Sequence, residues 1–255
     1  MRHPAALGGD PFQLRGAAPH APSSAVLEHH FDSTETLALA LAVRVADDLA
    51  RGINSRGRAS LMVSGGQTPI PFFSALARMP VNWERVVIGL VDERWVAADH
   101  EDSNERLVRE TLLTRHAAAA NFVPMKNVAT SAVTGQPACE HTIAGLPRPF
   151  DVVVLGMGND GHTASLFPKA PQLAAALDRA RPALTIATDP VTAPHERMSL
   201  TLRGLLDSRR VVLLLSGHAK WQVYQSAKQP GSHVDLPVRA VLDQSEVPVN
   251  VYAAC

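Results

Sequence analysis

Cysteine is nearly absent from this chain, and neither sign of charge is in excess. Cys139 and Cys255 are the two cysteines among 255 residues, which are too few for a disulfide framework and favour a reducing, cytoplasmic compartment. Lys plus Arg and Asp plus Glu number 24 each. A balanced charge gives no electrostatic footprint for nucleic acid or for an anionic membrane surface. We therefore expect any anionic partner to be a small molecule that is bound locally.

Long apolar runs are also missing. No segment reaches the roughly 18 apolar residues that a membrane helix needs, since Arg44, Asp47 and Asp48 interrupt the best candidate, "LALALAVRVADDLA". The first thirty residues contain no apolar core and do not fit a signal peptide. We expect a mobile N-terminal tail over residues 1–24 and a single α/β domain over residues 25–255, and nothing in the pattern indicates an oligomeric state.

The motifs of several common enzyme classes do not occur. The chain has no G-x-x-x-x-G-K-[ST] phosphate loop, no G-x-S-x-G nucleophile elbow, and no C-x-x-C or H-x-x-x-H pair. These absences argue against a P-loop enzyme, a serine hydrolase and a locally encoded metal site. We therefore predict no metal.

Several apolar runs are continuous rather than alternating, and helical patterns separate them. Continuous apolar runs are typical of strands that are buried on both faces. The pattern therefore predicts a doubly wound, mainly parallel sheet flanked by helices, which is a Rossmann-like α/β fold in a single domain. The predicted strands are "ASLMV" (59–63), "RVVIGLVD" (85–92), "NFVPM", "FDVVVLGMG" (150–158), "PALTIAT", "RRVVLLLSG" (209–217) and "VPVNVYA".

Capping residues predict where the helices begin and end. Asp32 is the expected N-cap of an amphipathic helix that ends near Gly52. Thr68, followed by Pro69, is expected to cap the next helix, and a third should begin near Ser103.

Four loops with unusual chemistry follow the predicted strands, at residues 64–69, 92–94, 156–162 and 216–220. In doubly wound sheets, ligands bind beyond the carboxyl ends of the strands. We therefore expect these four loops to converge on one site.

The loop "SGGQTP" has the features of a phosphate cradle. Gly65 and Gly66 allow close approach of backbone N–H groups, and Ser64 and Thr68 can add hydroxyl donors. A simple strand-to-helix turn is the alternative interpretation of this loop. A bound phosphate would carry about −1.5 to −2 charges near neutral pH, and Arg94, Arg197 and Lys220 are candidate cationic partners, although Lys220 could also be a solvated surface lysine.

The run "GMGNDG" fits G-x-G-x-x-G, the pattern of a dinucleotide loop. However, Pro168 interrupts the helix that should follow, and Asp178 lies in a helical pattern rather than at a strand end. The glycines are better explained as turn-formers that present Asp160 and His162. An imidazole has a pKa near working pH, so His162 is a candidate general base.

Four motifs, "SGGQTP", "DERWVAADHEDSNERLVRETLL", "LGMGNDGHTASLFP" and "SGHAKW", resemble the 6-phosphogluconolactonase family in order and spacing, and the resemblance runs from about Val26 to the C-terminus. It implies hydrolysis of 6-phospho-D-glucono-1,5-lactone to 6-phosphogluconate in the oxidative pentose phosphate pathway, without cofactor or metal.

The resemblance also implies roles for individual residues. His162 resembles the general base that activates water for attack on the lactone carbonyl, and Asp160 would orient it or shape its turn. Arg94 would bind phosphate or stabilise charge, and Asp92 would line the site. The remaining positions resemble phosphate ligands: Ser64, Gly65, Gly66, Thr68, Arg197 and Lys220.

The glucosamine-6-phosphate deaminases are similar but resemble "GHIAFNEP" where this chain has "GHTASLFP". Their glutamate corresponds to Phe167, and an apolar side chain cannot transfer protons. This difference favours the lactonase. A deaminase-like isomerase and a non-catalytic sugar-phosphate sensor are the alternatives.

Overall fold

A seven-stranded parallel sheet forms the centre of the molecule in the computed structural model, which describes residues 26–255. The predicted tail over residues 1–24 lies outside the described residues. With strands numbered in chain order, the sheet order is β1-β10-β9-β6-β2-β3-β5, and every neighbouring pair is parallel. Its strands are β1 (Leu27–Phe31), β2 (Ala59–Val63), β3 (Val86–Leu90), β5 (Asn121–Val123), β6 (Val152–Leu155), β9 (Val211–Ser216) and β10 (Val249–Ala254).

Helices connect these strands and cover the sheet, which confirms the predicted doubly wound α/β fold. They are α1 (Thr34–Arg56), α2 (Ile70–Leu76), α3 (Asn104–Thr111), α4 (Ala132–Ala144), α5 (Leu173–Leu177), α6 (Leu202–Leu206), α7 (His218–Ala227) and α8 (Arg239–Leu242), with short 3₁₀ helices at Trp83–Arg85 and Arg115–Ala119. None of the helices in residues 26–255 has the length and apolar character to cross a membrane.

A second, three-stranded antiparallel sheet was not predicted. It has the order β4-β8-β7, formed by Asp92–Arg94, Arg197–Leu200 and Thr185–Thr188 respectively. The single strand predicted over residues 85–92 is therefore wrong at its end. Val91 still donates its N–H to the β2 residue Val63 (3.0 Å), while its carbonyl accepts from Leu200 of β8 (2.7 Å), so the chain changes sheets at this residue.

The core lies between the parallel sheet and its helices. All five residues of β2 and all four of β6 are buried, as their continuous apolar sequences predict. The predicted amphipathic character of α1 is also confirmed, because its apolar residues Leu37, Leu41, Val45 and Leu49 are buried. Truncation of one such leucine to alanine typically costs about 2–5 kcal/mol of stability.

The predicted ends of α1 are wrong by one residue at the start and by about a turn at the end. Ser33, and not Asp32, is the N-cap, since its hydroxyl accepts a hydrogen bond from the backbone N–H of Thr36 (3.2 Å). The helix continues past Gly52 to Gly57, which stops it in a left-handed conformation (φ 76°). Gly52 therefore lies inside the helix and does not end it.

The other two predicted caps have different outcomes. Ser103 caps α3 as predicted, with its hydroxyl accepting from the N–H of Arg106 (3.2 Å). Thr68 does not cap α2, because the residue before Ile70 is Pro69 and no side chain caps that helix.

Replacement of Ser33 by alanine should lower the free energy of unfolding by about 1 kcal/mol, because the N–H of Thr36 loses its acceptor. The matched variant Asp32→Ala removes no cap and should change stability by less than about 0.5 kcal/mol. Urea unfolding of both variants measures the difference. A larger loss for Asp32→Ala would show that the cap assignment is wrong.

Candidate functional site

A cleft of about 330 Å³ opens at the carboxyl edge of the parallel sheet, where the four predicted loops meet. Its lining includes nearly every residue that the sequence pointed to: Ser64, Gly65, Gly66, Thr68, Asp92, Arg94, His162, Arg197 and Lys220. Asp160 does not line the cleft, but its carboxylate contacts the imidazole of His162. The expected convergence of the loops is therefore present.

The loop after β2 is joined to the loop after β6 and to α3. The hydroxyl of Ser64 accepts a hydrogen bond from the N–H of Gly156 (3.2 Å). A Cβ on Gly65 would lie 1.9 Å from the side-chain oxygen of Asn104, and Gly66 adopts φ +88°. The two glycines are thus needed for different reasons, one for close packing and the other for backbone conformation.

Lys220 reaches the same loop from the first turn of α7. Its ammonium group donates a hydrogen bond to the hydroxyl of Thr68 (3.1 Å). Burial lowers the pKa of Lys220 below its usual value, since the charged form loses hydration in the cleft. The Thr68 hydroxyl thus lies against Lys220 in the cleft lining and does not cap α2.

Two arginines lie side by side because the small antiparallel sheet places Arg94 of β4 directly opposite Arg197 of β8. Arg94 donates to the carbonyl of Asp102 (2.5 Å) and Arg197 to that of Pro194 (3.1 Å). Within residues 26–255 neither side chain forms an ion pair with a carboxylate, and the buried Nε of each has no hydrogen-bond partner.

The arrangement of these arginines favours an anionic ligand. Burial, and then the positive charge of Arg94, lower the pKa of Arg197, and the carboxylates of Asp92, Glu93 and Asp102 offset this shift only in part. Planar guanidinium groups with free N–H donors match the oxygens of a phosphate or carboxylate. This part of the cleft can therefore hold an anion.

His162 is held by a carboxylate on one side and an aromatic ring on another. Its Nδ1 lies 2.6 Å from Oδ1 of Asp160, and its ring stacks on Phe167 with centroids 4.1 Å apart. Burial alone would raise the pKa of Asp160, but the hydrogen bonds and charge of His162 outweigh it and hold that pKa below its usual value. An ionised Asp160 favours the tautomer with hydrogen on Nδ1, which leaves Nε2 free to accept a proton.

The glycines of the G-x-G-x-x-G run allow this histidine to turn inward. A Cβ on Gly158 would lie 2.2 Å from the His162 ring, and one on Gly161, at φ +77°, would lie 2.5 Å from Leu236. No helix follows the run directly, since α5 begins only at Leu173. The interpretation as a turn rather than a dinucleotide loop agrees with this backbone.

Asp92 supports the cleft wall. It is 6% exposed, and its Oδ2 accepts a hydrogen bond from the hydroxyl of Ser165 (2.6 Å). The Asp92 carbonyl accepts from the side-chain amide of Asn104 (2.9 Å), a lining residue that the sequence did not single out. The sequence signals for Asn104 were its place inside the motif "DERWVAADHEDSNERLVRETLL" and its place at the start of a helix near the expected site.

Glu93 was also missed. Its carboxylate, 1% exposed, accepts from the backbone N–H groups of Arg94, Asn104 and Glu105 (2.7–2.8 Å) and from the hydroxyl of Ser103 (3.2 Å). Burial raises the pKa of Glu93, although these donors oppose the shift. The side chain ties β4, and with it Arg94, to the first turn of α3.

This geometry agrees with a comparison to known families. The family model described as "Glucosamine-6-phosphate isomerases/6-phosphogluconolactonase" matches residues 32–249, which is most of the chain and includes the whole cleft. The chain belongs to this family.

Individual members of this family are similar along most of their length. A 6-phosphogluconolactonase from Mesorhizobium japonicum is 44% identical over 88% of this chain and 93% of its own, and one from Rhizobium meliloti is 41% identical over 89% and 97%. The crystal structure of a 6-phosphogluconolactonase from Shewanella baltica OS155 superposes with a TM-score of 0.88 at 44% identity, covering 90% of this chain and 98% of the other.

The partly buried Lys220 should make phosphate binding sensitive to alkaline pH. Because its pKa lies below the usual 10.5, its charge is lost at a lower pH than that of an exposed lysine. Phosphate is already a dianion above about pH 8, so affinity for inorganic phosphate should fall as the pH rises from there. Isothermal titration calorimetry measures this fall.

Lys220→Arg is the matched control, since a guanidinium keeps its charge throughout this range. Its phosphate affinity should stay constant with pH. A wild-type affinity that is equally constant up to about pH 10 would contradict the prediction, because an ordinary lysine titrates only near that value.

Proposed function

We propose that this chain is a carboxylic ester hydrolase that converts 6-phospho-D-glucono-1,5-lactone to 6-phospho-D-gluconate in the pentose phosphate pathway. The observation that carries the proposal is the cleft itself, in which unpaired cations and the imidazole of His162 face a common space. The 6-phosphogluconolactonases of Mesorhizobium japonicum and Rhizobium meliloti, at 44% and 41% identity, support the same substrate.

The substrate is a small sugar-phosphate lactone, and its phosphate occupies the cationic part of the cleft. The donors available there are the loop around Gly65 and Gly66, the ammonium of Lys220, and the free N–H groups of Arg94 and Arg197. Binding at the phosphate holds the lactone ring in place, so that affinity for a remote group lowers the entropic barrier at the reacting carbon.

The chemistry takes place at His162. Nε2 accepts a proton from water as the water oxygen attacks C1 of the lactone, which gives a tetrahedral intermediate. The imidazolium then returns a proton to the ring oxygen as the C1–O5 bond breaks, which yields the open-chain acid. Asp160 is a positioning residue in this scheme, since it fixes the tautomer and the orientation of the ring.

The proposed reaction uses no cofactor and no metal, because the side chains in the cleft supply a base and cationic stabilisation. We place it in the cytoplasm, without a nucleic-acid or membrane partner. The state of the cysteines supports a reducing compartment, since Cys139 and Cys255 are both free.

Phe167 argues against deaminase chemistry. The deaminase pattern would have a glutamate here, whereas the aromatic ring stacks on His162 and offers no proton. An assay that couples 6-phosphogluconate formation to a dehydrogenase should show turnover far above spontaneous lactone hydrolysis. Ammonia release from glucosamine 6-phosphate would instead establish the deaminase, and binding without turnover would establish a sensor.

His162→Ala should lower kcat by about 10²–10⁴-fold, because no other group replaces the base, and should leave affinity for inorganic phosphate nearly unchanged. Steady-state kinetics and calorimetry measure the two quantities. His141→Ala, on an exposed position of α4, is the control and should match wild type. Near-wild-type turnover of His162→Ala would remove the residue from the mechanism.

Arg197→Ala and Lys220→Ala should mainly raise KM for the phosphorylated lactone, since each removes a phosphate ligand. Unphosphorylated glucono-1,5-lactone should be a poor substrate, and its kcat/KM should be unaffected by either variant. Equal losses with both lactones would mean that these residues do not act through the phosphate.

A further inference from the structure

Two histidines and an aspartate form a cluster on the outer side of the arginine pair. Nε2 of His195 lies 2.9 Å from Oδ2 of Asp102, and Nδ1 of His100 lies 3.9 Å from the same oxygen. One potential ligand atom from each of the three residues lies within 4.8 Å of the others. His100 and Asp102 lie on the loop between β4 and α3, whereas His195 lies on the loop that leads into β8.

The proposed mechanism makes no use of this cluster. His100, Asp102 and His195 lie outside the lining of the cleft, and all three side chains are 30–43% exposed. Their rings and carboxylate can therefore be reached from solvent without opening the site.

The donor set suits a borderline divalent cation. Two imidazoles and one carboxylate are ligands that zinc accepts, with a fourth position left for water. Bonds of about 2.0–2.1 Å in a tetrahedral site place ligand atoms roughly 3.3 Å apart. The candidate atoms here are separated by 2.9 Å, 3.9 Å and at most 4.8 Å. Completing the geometry requires these side chains to shift, and if Nδ1 of His100 is the ligand it gives up the hydrogen bond that it accepts from the backbone N–H of Asp102 (3.0 Å).

Acidic groups lie near the cluster, together with the guanidinium of Arg94, whose positive charge acts on the Asp102 carboxylate. The carboxylate of Asp102 is partly exposed, so its oxygens are accessible to an incoming ion. Asp99 and Glu101 add two further acidic groups on the same loop. The guanidinium of Arg94 is bound to the backbone carbonyl of Asp102, not to its carboxylate.

We propose that His100, Asp102 and His195 bind one zinc-like divalent ion and so join the loop that holds Arg94 to the loop that leads into Arg197. The ion would replace the direct His195–Asp102 hydrogen bond. These residues form no local metal-binding motif in the sequence, because His100 and His195 are far apart along the chain. The site is separate from the lactone chemistry, which the ion does not enter.

The test is calorimetric titration of the metal-free, full-length protein with zinc chloride. Wild type should bind one ion, and His100→Asn and His195→Asn should each weaken that binding at least tenfold. His233→Asn is the matched control, since His233 also pairs with an aspartate, Asp243, at 2.8 Å. It should bind zinc as wild type does. Unchanged zinc affinity in His100→Asn and His195→Asn, or no binding by wild type, overturns the proposal.

A second measurement needs no variant in the cluster and therefore does not depend on how the variants fold. In wild type, paramagnetic Co²⁺ should broaden the ring NMR signals of His100 and His195 at concentrations that leave the His233 signals sharp. Equal broadening of all three, or sharp signals from His100 and His195, would contradict the site. Lactonase activity is not a readout in either experiment, so failure here is distinct from failure of the proposed function.

Discussion

The register between β4 and β8 places two guanidinium groups next to each other in a partly dehydrated cleft. Arg94 and Arg197 are cross-strand partners, and their buried Nε atoms have no acceptor. Keeping like charges together in this way is unfavourable unless the backbone is rigid and negative charge compensates them, which Asp92, Glu93 and Asp102 do in part. The buried hydrogen bonds of Glu93 and the sheet change at Val91 provide that rigidity. Much of the architecture at this edge is explained by the need to hold these two side chains.

The parts of the fold that follow from local sequence were predictable. Buried strands such as β2 and β6 are runs of apolar residues, and glycine-rich turns directly follow them, so both the sheet and the edge with the site could be inferred. The motif around His162 was informative for a further reason. Its glycines did not fit a dinucleotide loop, and this misfit indicated that the turn presents a side chain.

The parts that depend on contacts between distant segments were not predictable. Strands β4 and β8 contain three and four residues, too few for a hydrophobic pattern, and antiparallel pairing alone brings them together. Asn104 enters the site because Gly65 leaves room for it, which neither segment shows by itself. The choice between Asp32 and Ser33 as N-cap depends on backbone angles, since both residue types cap helices well.

Phe167 lies next to two functional groups of the cleft, the imidazole of His162 and the guanidinium of Arg197. The imidazole of His162 stacks on its ring at 4.1 Å, and the guanidinium carbon of Arg197 lies 5.7 Å from the centre of the same ring. A substitution at this one position would therefore change the surroundings of both the imidazole and the guanidinium. The size and position of this one ring therefore help to set the spacing between the imidazole and the guanidinium.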